Sequence, residues 1–266
     1  MPTLRQITAP TPLVVAFVVL TLLALGPLTP VDAALHRHWV QDFTPELYPF
    51  FKVLDSIAGQ AVALPVLLAV ALPLALAARS WRPLVLVGLV EAAFFGGVGG
   101  LKVLFARPAA SRGDPAFFNG GIGDMGLHGI SYPSGHASEA VLLYGMAVYL
   151  LCTQLPVKRE MRRALVVVWG GIILLAVSVS YALGFHWVSD LIGGVIAGGL
   201  MLHAVIRLDR WHAVRQLTKG PSGPRILHTP PPAQVLAWPA GLDAVNRRQR
   251  AERLSGDAGR TPAARG

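Results

Sequence analysis

The sequence has almost no cysteine and few charged residues. Cys152 is its only cysteine among 266 residues, so an intrachain disulfide and a zinc site built from cysteines are both excluded. Charged residues make up 14% of the chain, whereas a soluble domain usually has about a quarter. Hydrophobic residues make up 53%, and the mean hydropathy is +0.54. This composition excludes an ordinary soluble domain and indicates an integral membrane protein.

The positive charge is concentrated near the C-terminus. The formal charge is +9, and residues 207–266 contain 11 Lys and Arg against 4 Asp and Glu. The same segment is rich in proline and glycine and has no sustained hydrophobic periodicity. We interpret 207–266 as a solvated, largely disordered cytoplasmic tail, with binding to anionic lipid headgroups as the alternative. A nucleic-acid partner is not expected.

Six apolar runs are long enough to cross a hydrocarbon core of ~30 Å. They predict an all-α fold, in which residues 1–206 form a polytopic membrane bundle of six transmembrane helices. The predicted spans are 12–30, 60–78, 83–101, 137–154, 164–184 and 187–206.

The basic connections between these runs predict the orientation. RSWR at 79–82, LPVKREMRR at 155–163, Arg5 and the tail all fall on one side if six spans alternate. Cytoplasmic segments carry the excess of Lys and Arg. Both termini are therefore expected in the cytoplasm of a plasma-membrane protein, with 102–136 and 184–190 on the outer face.

Three polar clusters share that predicted outer face, each at the end of a span. In the last cluster, a spacing of four residues places the histidine and the aspartate on one helix face, so the carboxylate can reach the ring. The clusters contain Lys102 and Arg107 in KVLFARP, Ser134, Gly135 and His136 in PSGH, and His186 and Asp190 in HWVSD.

Phosphoryl transfer accounts for this combination of residue types. A phosphate ester is anionic, so Lys102 and Arg107 can neutralise its oxygens. Backbone N–H groups around Ser134 and Gly135, at a helix N-terminus, add an anion site. One histidine could attack phosphorus and the other could protonate the leaving oxygen, while Asp190 orients its partner ring.

Each cluster also has a purely structural interpretation. A single histidine at a membrane boundary is often interfacial, and Lys102 and Arg107 could be snorkelling anchors at a span end. Pro-Ser-Gly could be a turn before a helix, and HWVSD the start of an amphipathic helix. The convergence of five ionisable groups on one face favours a site, because separate structural explanations would have to coincide.

The three clusters resemble the type 2 phosphatidic acid phosphatase superfamily of membrane lipid phosphatases. That family has the motifs K-x6-R-P, P-S-G-H and S-R-x5-H-x3-D on a six-span core, and the resemblance covers about 85–205. It implies that His186 is the nucleophile, Asp190 its partner and His136 the general acid. It also implies phosphate contacts from Lys102 and from Ser134 with Gly135, without a metal or other cofactor.

The sequence departs from the family pattern in two motifs. Arg107-Pro108 comes two residues earlier than K-x6-R-P requires, and the expected position holds Ala109-Ala110. Ser180 stands where the third motif has arginine, and Val179 where it has serine. Two guanidinium positions are therefore absent, and Arg107 is expected to replace one of them.

The function expected from the resemblance is hydrolysis of a lipid phosphate or a polyprenyl phosphate or diphosphate at the outer face of the membrane. The enzyme class is a metal-independent phosphoric ester hydrolase. A phosphotransferase of the same family is an alternative, in which an alcohol replaces water. A catalytically degenerate scaffold or transporter-like protein is another, although it would have no need of two histidines and an aspartate.

Overall fold

The computed structural model describes residues 10–121 and 129–219, where the secondary structure consists of helices and one isolated antiparallel bridge between Pro108 and Ile130. Five of the helices, all from Gln60 onward, are long and apolar enough to cross a membrane. The prediction of an all-α, multi-pass membrane bundle is therefore confirmed. The helices are α1 Pro10–Ala24, α2 Thr29–Leu35, α3 Trp39–Phe43, α4 Tyr48–Ala58, α5 Gln60–Ala78, α6 Arg82–Phe105, α7 Gly135–Gln154, α8 Arg159–Ala182 and α9 Val188–Lys219.

The first predicted span differs from a single straight helix. The helix α1 ends at Ala24, and the chain bends by 78° before continuing as Thr29–Phe43. The sequence Gly26-Pro27 lies at this break. Proline lacks the N–H that a helix interior needs and disfavours helical backbone at the preceding residue. A sixth span exists only if this bent pair is counted as one.

The helix α7 occupies the centre of the bundle. In its most apolar window 83% of the residues are buried, compared with 17% for α8 and 28% for α5. Because helices at the rim face lipid, their apolar residues stay exposed, while those of α7 pack on neighbours from all sides. The residue Ser134, which precedes α7, is therefore held at a fixed place at one end of the bundle.

The start of α7 lies in close contact with the start of α9. A Cβ atom added to Gly194 would lie 2.6 Å from the Ser134 carbonyl oxygen, and one added to Gly198 would lie 2.8 Å from that of Ser138. The Ser138 hydroxyl also donates to the Gly194 carbonyl at 2.9 Å. Small residues allow helices to approach in this way. The contact brings the PSGH and HWVSD clusters together.

The last helix extends beyond the predicted start of the tail. Helix α9 runs to Lys219 and so includes residues that the sequence assigned to the tail from 207 onward. Within this extension Arg82 Nε donates to Asp209 Oδ1 at 2.8 Å, a buried contact that ties α9 to α6. The rest of the predicted tail, from 220, lies outside the described residues.

Candidate active site

The three polar clusters meet at one end of the bundle, here called the site end, where α6 ends and α7 and α9 begin. The Ser134 N–H donates to the Asp190 carbonyl at 2.9 Å, and the Ser131 N–H donates to the Arg107 carbonyl at 2.8 Å. The Lys102 ammonium donates to the Ile130 carbonyl at 2.8 Å. Backbone and side-chain bonds therefore connect clusters that are far apart in sequence.

His186 lies beside Asp190, as predicted, but the two residues do not share a helix, because α9 begins at Val188 and His186 precedes it. Its Nδ1 is 3.5 Å from Asp190 Oδ2, and 13% of its side chain is exposed. Such contacts are often long in an enzyme without substrate and shorten when it binds. The Asp190 side chain is fully buried and also accepts the Trp187 N–H at 3.1 Å. A proton on Nδ1 would point toward this carboxylate, and Nε2 would then keep its lone pair.

Arg107 has partners other than the phosphate oxygens expected from the sequence. Its side chain is 0% exposed, and its guanidinium bonds to Asp190 at 2.6 Å and to Asp32 at 2.7 Å. Its Nε donates to the Pro115 carbonyl at 2.9 Å. The guanidinium therefore holds the carboxylate that orients His186, and it ties the loop after α6 to the site.

The start of α7 presents free amides. The Ser134 side chain accepts the Ala137 N–H at 3.4 Å, while the N–H of Ser134 is already bound to Asp190. The next two amides, of Gly135 and His136, have no acceptor among the described residues. Unpaired N–H groups at a helix N-terminus favour an anion. The structure thus moves the expected backbone donors from Ser134 to the following two residues.

Lys102 lies next to this helix start. A Cβ added to Gly135 would be 3.8 Å from Lys102 Cε. The ammonium donates to the carbonyls of Ile130 and Ser131, which leaves one of its three N–H bonds for another acceptor. Lys102 and the free amides can therefore bind the same anion.

His136 is the more accessible of the two histidines. Its side chain is 37% exposed, and its Nε2 is 3.6 Å from Asp55 Oδ2. The Cα of Gly59 lies against the ring, because a Cβ there would come within 3.1 Å of Nε2. Lys102 lies against the residue before His136, and the Ser134 N–H bonds to the Asp190 carbonyl, so the two rings and the lysine belong to one site.

Sequence reasoning missed two carboxylates of this site, Asp32 and Asp55. Asp32 accepts from the Arg107 guanidinium and from the Ser189 N–H at 3.1 Å, while Asp55 accepts from the Ser180 hydroxyl at 2.9 Å. Both aspartates are buried, at 3% and 4% exposure. The sequence does contain a signal for them, because each aspartate lies in an apolar run, VDAAL or KVLDSIA. An acidic residue buried in such a run usually has a partner, so its position indicates a polar contact.

The loop after α6 is packed onto the Arg107 guanidinium. The Phe117 ring lies 4.7 Å from it and is buried, whereas Phe118 is exposed. The amide of Ala116, with help from the Asn119 side chain, lowers the pKa of Asp114 below its ordinary value. These bonds order the loop as far as Asn119.

The combined geometry suits attack on an anionic phosphorus centre. His186 offers a bare Nε2 on a ring backed by a carboxylate, and His136 offers a second titratable ring across the site. Lys102 and the amides of Gly135 and His136 supply donors for oxygens of a phosphoryl group.

Comparisons with known proteins identify the family of this chain. The family model described as PAP2 superfamily matches residues 80–213, a range that contains all three clusters. Over 80 residues the chain is 34% identical to phosphatidylglycerophosphatase B of Bacillus subtilis (strain 168), a stretch that is 30% of this chain and 39% of that relative.

A solved structure has a similar fold. It is the crystal structure described as the first transmembrane PAP2 type phosphatidylglycerolphosphate phosphatase from Bacillus subtilis. The TM-score is 0.63 at 21% identity, with 76% of this chain and 96% of that chain covered. At this identity the likeness shows the fold. Because the family match spans half of the sequence and includes every cluster of the site, the chain belongs to the PAP2 superfamily.

Proposed function

We propose that this protein is an integral membrane phosphatase that hydrolyses a lipid phosphate or diphosphate at the outer face of the plasma membrane. The observation that carries the proposal is the pairing of His186 with Asp190 at the same end of the bundle as His136, with Lys102 beside the helix start that precedes His136. Membership of the PAP2 superfamily supports it, as does the similarity to a phosphatidylglycerophosphatase.

The substrate phosphoryl group binds at the start of α7. The free amides of Gly135 and His136 and the remaining N–H of Lys102 donate to its non-bridging oxygens. The positive end of the α7 dipole adds to this attraction. The phosphorus atom then lies between the two histidine rings, and the lipid chain extends into the membrane.

In the first step, His186 Nε2 attacks phosphorus and the bond from phosphorus to the lipid oxygen breaks. His136, in its protonated form, gives its proton to that oxygen, so the lipid leaves as a neutral alcohol when the substrate is a monoester. Asp190 holds the Nδ1 proton and stabilises the positive charge on the phosphorylated ring. Arg107 does not contact the phosphoryl group, and its role is to hold Asp190 in position.

In the second step, the now neutral His136 removes a proton from water, whose oxygen attacks the phosphohistidine. The bond from phosphorus to Nε2 breaks, inorganic phosphate leaves, and both histidines return to their starting states. The charge on the phosphoryl oxygens is met by Lys102 and the amides. The proposed reaction therefore uses no metal ion, and EDTA is expected to leave activity unchanged.

A phosphate-release screen tests this function. The full chain, purified in detergent, is incubated with phosphatidylglycerophosphate, phosphatidic acid and a polyprenyl diphosphate, each with and without EDTA. Release from at least one lipid, absent in His186→Ala, is the expected result. Failure of the intact protein to release phosphate from any of them would contradict the proposal.

The outer-face placement rests on the basic connections at the end of the bundle opposite the site. In a Cys152→Ala background, Ser111→Cys adds one thiol on the exposed turn that follows α6. A membrane-impermeant maleimide is expected to label it in intact cells. Labelling that requires opened cells would place the site in the cytoplasm.

A further inference from the structure

The third family motif lacks its arginine, and the structure shows what occupies that place. Ser180 is 1% exposed on α8, and its hydroxyl donates to Asp55 Oδ1 at 2.9 Å. A serine here supplies no positive charge. The carboxylate of Asp55 is instead turned toward this hydroxyl on one side and toward His136 on the other.

A different cation lies on the other side of Asp55. Lys52 extends from α4, and its ammonium is 3.8 Å from Asp55 Oδ2 with 47% of the side chain exposed. The ammonium also lies over the Phe185 ring, 4.6 Å from its centroid. No described residue accepts a hydrogen bond from it, so all three N–H bonds remain for a ligand.

These contacts connect Lys52 to the surroundings of both histidines. Phe185 is the residue before His186, and Asp55 is the carboxylate that Lys52 shares with His136. Lys102 lies beside Gly135, the residue before His136. The two lysines therefore lie near the same helix start, Lys102 from α6 and Lys52 from α4.

The charge balance of the site calls for this second lysine. Arg107 is bonded to two carboxylates, to the Ser189 hydroxyl and to the Pro115 carbonyl, and Lys102 has one free N–H. Without Lys52, Arg107 and Lys102 would be left facing the buried carboxyl groups of Asp32, Asp55 and Asp190, and Glu139 is a further buried carboxyl group three residues after His136. A second ammonium at the site adds positive charge for an anionic substrate.

We propose that Lys52 binds the phosphoryl oxygens of the substrate in place of the guanidinium missing at position 180, held over the site by Asp55 and the Phe185 ring. The inference rests on the proposed phosphatase function but concerns how this chain recognises a tetrahedral oxyanion. A half-exposed ammonium on a flexible stem reaches such an anion as a point charge.

Binding of orthovanadate, a phosphate mimic, tests Lys52 without requiring turnover. The full chain in detergent is titrated calorimetrically as wild type, Lys52→Met, Lys52→Arg and Arg37→Met. Arg37 is the matched control because it is an exposed cation on the same side of the bundle, bonded to the His36 carbonyl. Lys52→Met is expected to weaken binding about tenfold, the scale of one lost charged hydrogen bond in a partly solvated site.

Lys52→Arg is expected to retain most of the affinity, and Arg37→Met all of it. Thermal unfolding of Lys52→Met should match that of the wild type, because the side chain is half exposed. A wild-type protein that does not bind orthovanadate, or a Lys52→Met protein that binds it equally well, overturns the proposal. If Lys52→Met weakens binding but the wild type hydrolyses no lipid phosphate, the anion site stands and the phosphatase function fails.

Discussion

The two ends of the bundle each contain a buried arginine–aspartate pair, but only one of them is an active-site candidate. At the site end, Arg107 bonds to Asp190 at 2.6 Å, and at the opposite end Arg82 bonds to Asp209 at 2.8 Å. The two guanidinium groups are almost equally buried, with side-chain exposures of 0% and 5%. Burial and pairing therefore do not distinguish the two ends.

The difference lies in the third partner of each aspartate. Asp190 faces the ring of His186, which is partly open to solvent, whereas Asp209 accepts the Tyr149 hydroxyl at 2.5 Å inside the bundle. The Tyr149 side chain is 0% exposed, so its hydroxyl does not face solvent. A buried ion pair thus becomes part of a site when its carboxylate is shared with an accessible nucleophile, and otherwise it joins helices.

The largest expected effect compares His186 with a second histidine, His203 on α9, which lies outside the three polar clusters. His186→Ala should lower turnover on the order of 10⁵-fold or more, because the attacking atom is lost. The variant His203→Ala should leave turnover unchanged. Phosphate release from a lipid phosphate, measured on both purified variants, checks this. Equal activity of the two would mean that His186 is not the nucleophile.

The second effect concerns the acid. His136→Ala should slow hydrolysis of an alkyl phosphate by about 10²- to 10⁴-fold, the usual contribution of a general acid. The loss should be much smaller with p-nitrophenyl phosphate, whose leaving group needs no proton. Steady-state rates with the two substrates provide the test. The same loss with both would assign His136 a role other than protonation.

The third effect compares the two ion pairs directly. Removing one partner of a buried pair strands the other charge, so Arg107→Met and Arg82→Met should each cost about 3–5 kcal/mol of stability. Among correctly folded molecules, only Arg107→Met should also lose turnover, because Asp190 is no longer held beside His186. Thermal unfolding in detergent and activity per folded molecule separate the two effects. Loss of turnover in both variants would show that stability alone controls activity.

The long helices were predictable from sequence for a physical reason. A membrane span must be apolar over its full length, so the runs that became α5 to α9 are visible without any tertiary information. The break after α1 was less visible, because apolar residues continue on both sides of Gly26-Pro27. Hydrophobicity predicts which segments face lipid, but it does not predict where a helix bends.

The candidate site was predictable where its contacts are local. The four-residue spacing of His186 and Asp190 predicted their contact, although α9 begins at Val188 and His186 precedes it. The partners of Arg107 were not predictable, because Asp32 is 75 positions away and its approach depends on how α2 packs. Asp55 and Ser180 are 125 positions apart for the same reason. Side chains whose partners are distant in sequence can be identified only once the fold is known.

The most direct test of the account is whether phosphate becomes covalently bound to His186. Active protein mixed with a radiolabelled lipid phosphate and quenched within milliseconds is expected to carry phosphate that is labile in acid and stable in base. His136→Ala should still be labelled by a substrate with a good leaving group, and His186→Ala should carry no label. An active enzyme that gives no such phosphoprotein under trapping conditions, or a His186→Ala protein that is labelled like the wild type, would contradict it.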